Sequence, residues 1–491
     1  MPGYPRPENV HRRDLAELAA LIGTSTLTNS LVAGVTLASD EVRPGDVFAA
    51  LPGARRHGAE FVPAAARAGA VAVLTDQAGA TWAAEANLPA LVVPDPRSVL
   101  GALSARIYGE PSSQLLMLGV TGTAGKTSTA YLLESGLHAA GHVTGMIGSV
   151  ETRLGDETIP SVRTTPEACD LQALLARGLE RGVTAVAMEV SSHALKLGRV
   201  EGVRYAVSGY TNFGMDHLDF HPDVDDYFAA KAKLFDGRSG RAVLNFDDKA
   251  LHPLLRSNTV TYSALGDPGA SWRAVDIAGS GYEQKFTILG PGGITLLAGV
   301  RLPGRHNVAN ALLAVAMLVE AGVRPELAVS GVAECLGVPG RLERVAEEPV
   351  LGVVDYAHKP DAITAALTAL REITGGRLIC VIGAGGDRDR SKRPVMGNVA
   401  AAGADVVIVT DDNPRGEDPA VIRAEVIAGI PGACVEVAGR RAAIEEAVRH
   451  AKPGDTIAVL GKGHERGQEI SGEVLPFDDR VELAEALRET Q

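Results

Sequence analysis

Apolar residues along this chain fall into short solid runs separated by stretches of helical spacing, and that alternation predicts an α/β protein. In residues 1 to about 112 the runs are brief. Asp46 to Leu51, Ala70 to Thr75 and Ala90 to Val93 read as strands, and Phe61 to Ala68 as a helix. Pro94, Pro96 and Pro111 punctuate the end of this stretch and place a boundary near Pro111. From Leu115 a larger region opens, with apolar strands expected at Leu115 to Leu118, Val183 to Val190 and Ala206 to Tyr210, of which Val183 to Val190 has a buried-strand pattern. Residues 240 to 305 are richer in strand and turn signals, including Phe286 to Leu289 and Gly290-Pro-Gly-Gly293, and a helix is expected over Asn307 to Ala321.

Gly337-Val-Pro-Gly-Arg341 marks a second boundary. Beyond it, strands expected at 351–355, 377–383, 405–410 and 456–460 alternate with helices at 360–374, 394–402, 418–429 and 439–451. This is the pattern of a mostly parallel sheet covered on both faces. The expected division is three domains, 1–112, 113–340 and 341–491.

The 491 residues suffice for two to four domains with sizeable cores. A formal net charge of −13 gives no general attraction for nucleic acid or an anionic membrane, so an anionic ligand must be held by local Arg, Lys and Mg²⁺. The four cysteines, Cys169, Cys335, Cys380 and Cys434, are far apart and form no C-x-x-C pair, which fits a reducing cytoplasm better than zinc or disulfides. Met1 to Asp14 carries prolines and charges without the apolar stretch of a signal peptide, and no uncharged apolar run approaches the roughly 18 residues of a membrane helix. A cytoplasmic protein is expected.

The strongest chemical signal is Gly119-Val-Thr-Gly-Thr-Ala-Gly-Lys-Thr-Ser128, placed where a strand runs into an amphipathic stretch. Gly122 and Gly125 allow a tight turn whose N–H groups point at phosphate oxygens, Lys126 reaches toward the β/γ-phosphates, and the Thr127 hydroxyl suits Mg²⁺. The G-x-x-x-x-G-K-[ST] spacing puts a glycine at 120, where Val120 stands. A glycine-rich turn with a surface lysine would give the same shorter string. Glu189 ends the Val183 to Val190 run, at the edge where open α/β sheets bind ligands, and suits a second Mg²⁺ contact or a strand-end salt bridge. Ser191, Ser192 and His193 follow it.

Thr211-Asn-Phe-Gly-Met-Asp-His-Leu-Asp-Phe-His221 concentrates two histidines and two aspartates. His217 suits a metal through a neutral ring nitrogen oriented by a carboxylate, and a pair of solvated loop histidines fits the string as well. Lys231, in the helical pattern Tyr227 to Phe235, reads by itself as a helix-surface lysine. Arg341 and Asp355, near the second boundary, suit a nucleotide clamp from the opposite side of a cleft, or plain salt bridges. Three polar loops, Gly383 to Arg393, Asp411 to Arg415 and Gly461 to Glu465, follow predicted strands and should open on one sheet edge. Arg388 and Arg415 offer charge to a carboxylate, and Asp412 and Glu465 to an ammonium; that mixture suits a zwitterionic amino acid, or a solvated edge with internal salt bridges.

These motifs together resemble the Mur ligases along nearly the whole chain: GTAGKT, EVSSH, TNFGMDHLDFH, AAK, the Asn307/Asn310 segment, GRLERV, DYAHKPDA, GAGGDRD-x-x-KRP, DDNPR and GKGHE occur in that order. The resemblance implies three α/β domains: a small N-terminal UDP-binding domain, a central P-loop ATPase-like parallel sheet and a C-terminal Rossmann-like domain. It implies that Gly122, Thr123, Ala124, Gly125, Lys126, Thr127, Ser128, Asn307, Asn310, Arg341 and Asp355 bind ATP. Thr127, Glu189, His217 and Lys231 would form the metal sites, Lys231 as a carbamate derived from CO₂, with Lys126, Glu189, His217 and Lys231 carrying the chemistry. Ser39, Thr164, Thr165, Ser191 and Arg199 fall where the family binds UDP-N-acetylmuramoyl-L-alanyl-D-glutamate. Arg388, Asp412, Asn413, Pro414, Arg415, Gly461 and Glu465 would hold the incoming amino acid.

Three departures stand out: Ala124 replaces the usual P-loop Asn, Ala38-Ser39-Asp40 replaces Asp-Ser-Arg, and Leu197 replaces a common Gln. The implied reaction is ATP-dependent amide formation through an acyl phosphate, at the step that adds the third peptide residue of a cell-wall precursor. Asp-Asn-Pro-Arg is associated in the family with meso-diaminopimelate, whose second carboxylate Arg415 can meet; L-ornithine and L-lysine are the alternatives. A folylpolyglutamate synthetase-like ligase and a catalytically silent nucleotide-binding module are the competing functions.

Overall fold

The longest buried runs become the centre of a parallel sheet. In the computed structural model, which describes residues 3–26, 28–53 and 55–489, Leu116–Thr121 lies between Ala185–Glu189 and Tyr205–Tyr210, all parallel. All five residues of Ala185–Glu189 are buried, as a strand covered on both faces must be. Packing divides the chain into two units, residues 1–261 with 313–331 and residues 262–312 with 332–491.

In the first unit this sheet continues outward through Thr144–Ile147 on one side and Ser239–Asn245 on the other, both parallel to their neighbours. Antiparallel strands Glu151–Leu154 and Glu157–Pro160 finish the first of these edges. The register pairs Glu189 with Val120 and Tyr210 with Thr121, so three strands end level and their following loops start side by side. A second, four-stranded parallel sheet runs Gly34–Thr36, Asp46–Ala49, Ala72–Thr75, Ala90–Val92. The prolines near residue 95, expected only to punctuate, instead open a twelve-residue helix, Pro96–Ile107. Asp95 caps it by accepting from Arg97 N and Ser98 N, and Pro96 occupies the first turn, where its missing N–H is harmless.

In the second unit an antiparallel meander, Trp272–Ser280, Glu283–Gly290 and Ile294–Val300, accounts for the strand-rich stretch before residue 305. The helix that follows in the chain is Arg305–Glu320, of which residues 305–312 belong to this unit and 313–320 to the first. The six-stranded sheet runs Glu343–Ala346, Leu351–Asp355, Thr456–Leu460, Leu378–Ile382, Val406–Val409, Val435–Glu436 and is parallel apart from its first strand. Alternate residues serve opposite faces. Cys380 and Ile382 pack with Ile363, Leu367, Met396 and Ile422, whereas Ile379 and Val381 pack with Ile444, Val448 and Leu483. Both faces are therefore covered, as the β-α alternation requires.

Two C-terminal elements escaped the sequence reading, the hairpin Gly467–Ile470 with Glu473–Pro476 and the helix Asp479–Glu489. Ser471 and Gly472 both take positive φ, 51° and 86°, as a two-residue hairpin turn demands. No helix among the described residues is long and apolar enough to cross a membrane.

Candidate active site

The glycine-rich loop leaves Leu116–Thr121 and enters the helix Lys126–Ala139, with Gly125 at the cap position in the left-handed region, φ 83°. Gly122, φ 147°, has no room for a side chain, because a Cβ would come within 1.8 Å of Thr211 Oγ1. The loop is gripped from outside by residues the sequence reading valued only for their His and Asp neighbours. Asn212 accepts from Ala124 N (3.0 Å) and donates to Ala124 O (3.2 Å), Thr211 Oγ1 donates to Ala124 O (2.6 Å), and Thr123 N donates to Asn212 O (2.9 Å). Ala124, standing where the family usually has Asn, is thus held through its own backbone. Lys126 Nζ donates to Gly122 O (2.7 Å) and Thr123 O (3.1 Å).

Glu189 is 1% exposed at the end of its strand. Its carboxylate accepts from Thr127 Oγ1 (3.0 Å), Ser149 N (2.7 Å) and Ser149 Oγ (3.2 Å). Ser149 Oγ also meets Thr164 Oγ1 at 2.9 Å. Thr165 Oγ1 donates to Glu189 O (2.9 Å) and accepts from Ser191 N (3.1 Å), while Ser191 caps the short helix Ser192–Lys196 through Ala194 N. Thr127, Glu189, Thr164, Thr165 and Ser191 are therefore one contiguous group, with Ser149 as the member the sequence reading missed. Its only sequence signal is its place after Ile147-Gly148, at the end of a buried strand. Arg199 joins this group by pairing with Glu167 (2.9 Å) and donating to Thr165 O (3.4 Å); burial pulls its guanidinium pKa down, against the pull of Glu167. Ser39 is half-buried after the turn in which Ala38 N donates to Thr36 Oγ1.

Lys231 is 1% exposed, which overturns its reading as a helix-surface lysine. Asp223 caps the helix Val224–Ala232, turning Lys231 inward, where Nζ donates to Gly122 O (2.7 Å) above the Tyr227 ring. The same carbonyl thus receives Lys126 and Lys231. His221 ties this helix to the preceding loop: its Nδ1 meets Asp226 Oδ2 at 2.7 Å and its Nε2 meets Ser192 Oγ at 3.1 Å. His217, partly exposed with φ 54°, lies with Nε2 3.2 Å from Asp216 Oδ2 and its ring edge-on to His193 at 4.7 Å. Burial, with His221 adding repulsion, lowers the His193 pKa and favours its neutral form.

The remaining nucleotide candidates lie in the second unit. Asn307 and Asn310 are buried, Asn310 Nδ2 donating to Asn307 Oδ1 (3.2 Å) and Asn307 Nδ2 to Pro303 O (2.8 Å). Arg341 stacks over Tyr356, 4.5 Å from the ring centre. Both Asp355 oxygens take backbone N–H groups, from Leu342 (2.6 Å) and Ala357 (2.7 Å), so this carboxylate orders the turn that presents Arg341. Burial raises the Asp355 pKa, with Arg341 opposing it.

The three polar loops do open on one edge, after the parallel strands Leu378–Ile382, Val406–Val409 and Thr456–Leu460. Asn413 is held by Glu465 Oε2 (2.9 Å), which also takes the fully buried Lys462 Nζ (3.0 Å). Arg440, wholly buried, forms a two-pronged pair with Asp479 (2.6 and 2.7 Å) and lies 3.8 Å from Asp412 Oδ2. Burial alone would lower the Arg440 pKa, but Asp479 outweighs it and holds the charge firmly in place. Gly461, φ 122°, is required because a Cβ would lie 2.4 Å from Asp412 Oδ2. Arg415 takes φ 51°, with Nε on Glu469 (3.0 Å) and Nη1 on Gly386 O (2.8 Å). Pro414 O packs on Gly386, which has no space for a side chain. Arg388 is exposed, with no hydrogen bond or ion pair to the described residues. Arg440, Gln468 and Glu469 were missed, since each acts through residues distant in sequence, and Lys462 was missed although one of its partners, Glu465, is only three residues on.

Three family models match the chain: the Mur ligase family catalytic domain over residues 31–108, the Mur ligase middle domain over 120–318 and the Mur ligase glutamate ligase domain over 340–463. The chain is 52% identical to a UDP-N-acetylmuramoyl-L-alanyl-D-glutamate–2,6-diaminopimelate ligase of Streptomyces avermitilis, over 100% of this chain and 99% of the relative. It is 48% identical to the Corynebacterium glutamicum protein of the same name, over 93% and 92%. A solved structure of a ligase of that name superposes with a TM-score of 0.72 at 31% identity, covering 98% of this chain and 99% of the other. With all three family models matched and more than half of its residues identical to a full-length relative, the chain belongs to the Mur ligase family.

Proposed function

We propose that the protein joins meso-diaminopimelate to the D-glutamate carboxylate of UDP-N-acetylmuramoyl-L-alanyl-D-glutamate, with ATP as the energy source, in peptidoglycan precursor synthesis in the cytoplasm. It is an ATP-dependent ligase of the amide-forming kind. The observation that carries the choice of amino acid is Arg415. Of its five N–H groups, Nε is on Glu469 and one Nη1 hydrogen on Gly386 O, leaving the Nη face for a carboxylate that lysine and ornithine lack. The 2,6-diaminopimelate in the relatives' names agrees with this choice.

A carboxylate is a poor acyl donor, because oxide would have to leave. An oxygen of the D-glutamate γ-carboxylate attacks the γ-phosphorus of ATP, and ADP departs. The amine of the incoming amino acid then attacks the acyl phosphate carbon; the tetrahedral intermediate loses phosphate and a proton to give the amide. Lys126 serves the phosphoryl transfer by exchanging the Gly122 and Thr123 carbonyls for phosphate oxygens. The Thr127 hydroxyl and Glu189 carboxylate, 3.0 Å apart, are the hard oxygen donors Mg²⁺ prefers. With His217 and a carbamylated Lys231 they would hold the metal, whose chemistry is to neutralise phosphate charge.

Carbamylation of Lys231 has a local rationale. Two ammonium groups, each 2.7 Å from Gly122 O, are held within a few ångströms of one another. Addition of CO₂ to the neutral Lys231 amine, with release of a proton, turns one of these cations into an anion while its N–H can still donate to Gly122 O. In this reading residues 1–112, including Ser39, serve the UDP substrate together with Thr164, Thr165, Ser191 and Arg199; residues 113–340 serve ATP, aided by Arg341 and Asp355; and residues 341–491 serve the amino acid.

The test is ADP release with the UDP-dipeptide and, separately, meso-diaminopimelate, L-lysine or L-ornithine. Turnover should require the UDP-dipeptide and favour meso-diaminopimelate by at least roughly a hundredfold in kcat/KM, the scale of a lost charged contact in a site built for it. Equal or better turnover with lysine would refute the choice.

A further inference from the structure

Arg415 is an unusual anchor, because a long side chain sits on a backbone in the left-handed region, φ 51°. Four hydrogen bonds from a segment more than fifty residues away hold that loop. Arg415 N donates to Glu469 O (3.0 Å), Ser471 N to Arg415 O (2.7 Å), Glu469 N to Asn413 Oδ1 (2.9 Å) and Gln468 Nε2 to Asp412 O (2.6 Å). The first strand of the C-terminal hairpin, Gly467–Ile470, is thereby added to the Asp412–Arg415 loop, with Arg415 bridged in parallel to Ile470. The guanidinium is then laid on a glycine pair: a Cβ on Gly386 would sit 1.9 Å from Pro414 O, and one on Gly385 would press on Arg415 Nη1 at 3.0 Å.

Glu469 completes this arrangement, with its carboxylate on Nε (3.0 Å), at the side edge of the guanidinium rather than at its Nη1/Nη2 end. A guanidinium gripped at Nε and at one Nη1 hydrogen has its plane and direction fixed, and its end is presented for two parallel bonds to a planar anion. Taking Arg415 as the group that meets the second carboxylate of the amino acid, as in the function proposed above, we propose that Glu469 is a positioning residue for diaminopimelate recognition, acting solely through Arg415. It lies outside every motif that carries the family resemblance, in the hairpin strand just past GKGHE.

A residue that acts only through Arg415 loses its effect when Arg415 is absent, and a double-mutant cycle measures this directly. In the intact enzyme, E469A should raise the KM for meso-diaminopimelate about tenfold, and E469Q, which keeps an oxygen for Nε, about threefold. The KM for ATP and kcat should stay within twofold. In an R415A background the same E469A change should raise that KM by less than twofold. R415K provides a second background if R415A is too weakly folded. A KM rise of similar size in both backgrounds, a fall in kcat with all KM values disturbed, or an unchanged KM in E469A would each overturn the inference. If R415A itself leaves the KM for meso-diaminopimelate unchanged, the assignment of Arg415 fails, and the inference falls with it for that separate reason.

Discussion

The buried pair Arg440–Asp479 permits a quantitative test of how the loop edge of the six-stranded sheet is supported. Both side chains have no exposed surface, and the pair is closed by bonds of 2.6 and 2.7 Å. Asp479→Ala removes the carboxylate and leaves a guanidinium that is charged at any accessible pH, with the carbonyls of Leu460 (2.9 Å) and Asp411 (3.3 Å) and the more distant Asp412 as its remaining partners. Breaking a buried pair from one side costs about 3–5 kcal/mol. Asp412, 3.8 Å away, offsets part of this, so the lower half of that range is expected. Asp479→Asn keeps an acceptor for Nε and should lose about half as much.

The chain has two tryptophans, Trp82 in the first unit and Trp272, 1% exposed, in the second. In a Trp82→Phe background, fluorescence therefore follows the unit that contains the pair. At a urea dependence of about 2–3 kcal/mol per molar, the expected loss moves the midpoint down by roughly 1–2 M. A shift smaller than about 0.3 M would refute the reasoning, because it would mean that the buried charge finds compensation the geometry does not show.

Lys126→Ala should abolish ADP release, since the loop ammonium that neutralises phosphate charge is gone. Lys231→Ala should do so too unless a small carboxylate such as formate or acetate is supplied; normal turnover without rescue would sink the carbamate assignment. Asp170 gives a prediction with a sign. Burial, reinforced by Glu41 and Glu167, pushes its carboxyl up to about 6, so the folded state holds this proton more tightly than the unfolded chain. The associated stability is present in full below the ordinary value near 4 and is lost as the pH rises through about 6. Asp170→Asn should therefore raise the melting temperature at pH 8, by an amount corresponding to about 1–3 kcal/mol, with the gain shrinking toward pH 4.5. A gain of the same size at both pH values would show that charge is not its cause.

What the sequence revealed of the site was what lies in one short string. The loop Gly122 to Thr127 is legible because strand, glycines, lysine and hydroxyl are consecutive, and the register that brings Glu189 level with Val120 follows from two buried parallel strands. Lys231 was legible only through resemblance. Helical spacing cannot say which face is inward, and that depends on the Asp223 cap and on the His221 link between Asp226 and Ser192. Asn212, Ser149 and Glu469 were given no role by the sequence for a common reason: their partners are 88, 40 and 54 positions away. The helix Pro96–Ile107 was lost to a different error, in which a proline at a helix start was read as a stop.

The arrangement of cations explains how a chain with a net charge of −13 can handle polyanionic substrates. Several arginines around the strand-end loops are held by carboxylates: Arg199 by Glu167, Arg415 by Glu469, Arg393 by Glu417 and Glu425, Arg440 by Asp479. Such half-exposed pairs as Arg415–Glu469 contribute little stability, so their value lies in direction: a compensated guanidinium still offers a fixed fork of donors. Lys126 at the phosphate loop is treated differently. It donates to the Gly122 and Thr123 carbonyls, and a carbonyl orients an ammonium without cancelling its charge. An uncancelled positive charge is thus kept at the loop where the proposed phosphoryl transfer would occur, while the paired arginines at the loop edge of the six-stranded sheet offer direction more than net charge. At an ionic strength where the Debye length is about 8 Å, the net negative charge of the distant surface is screened, and these short-range arrangements decide what binds.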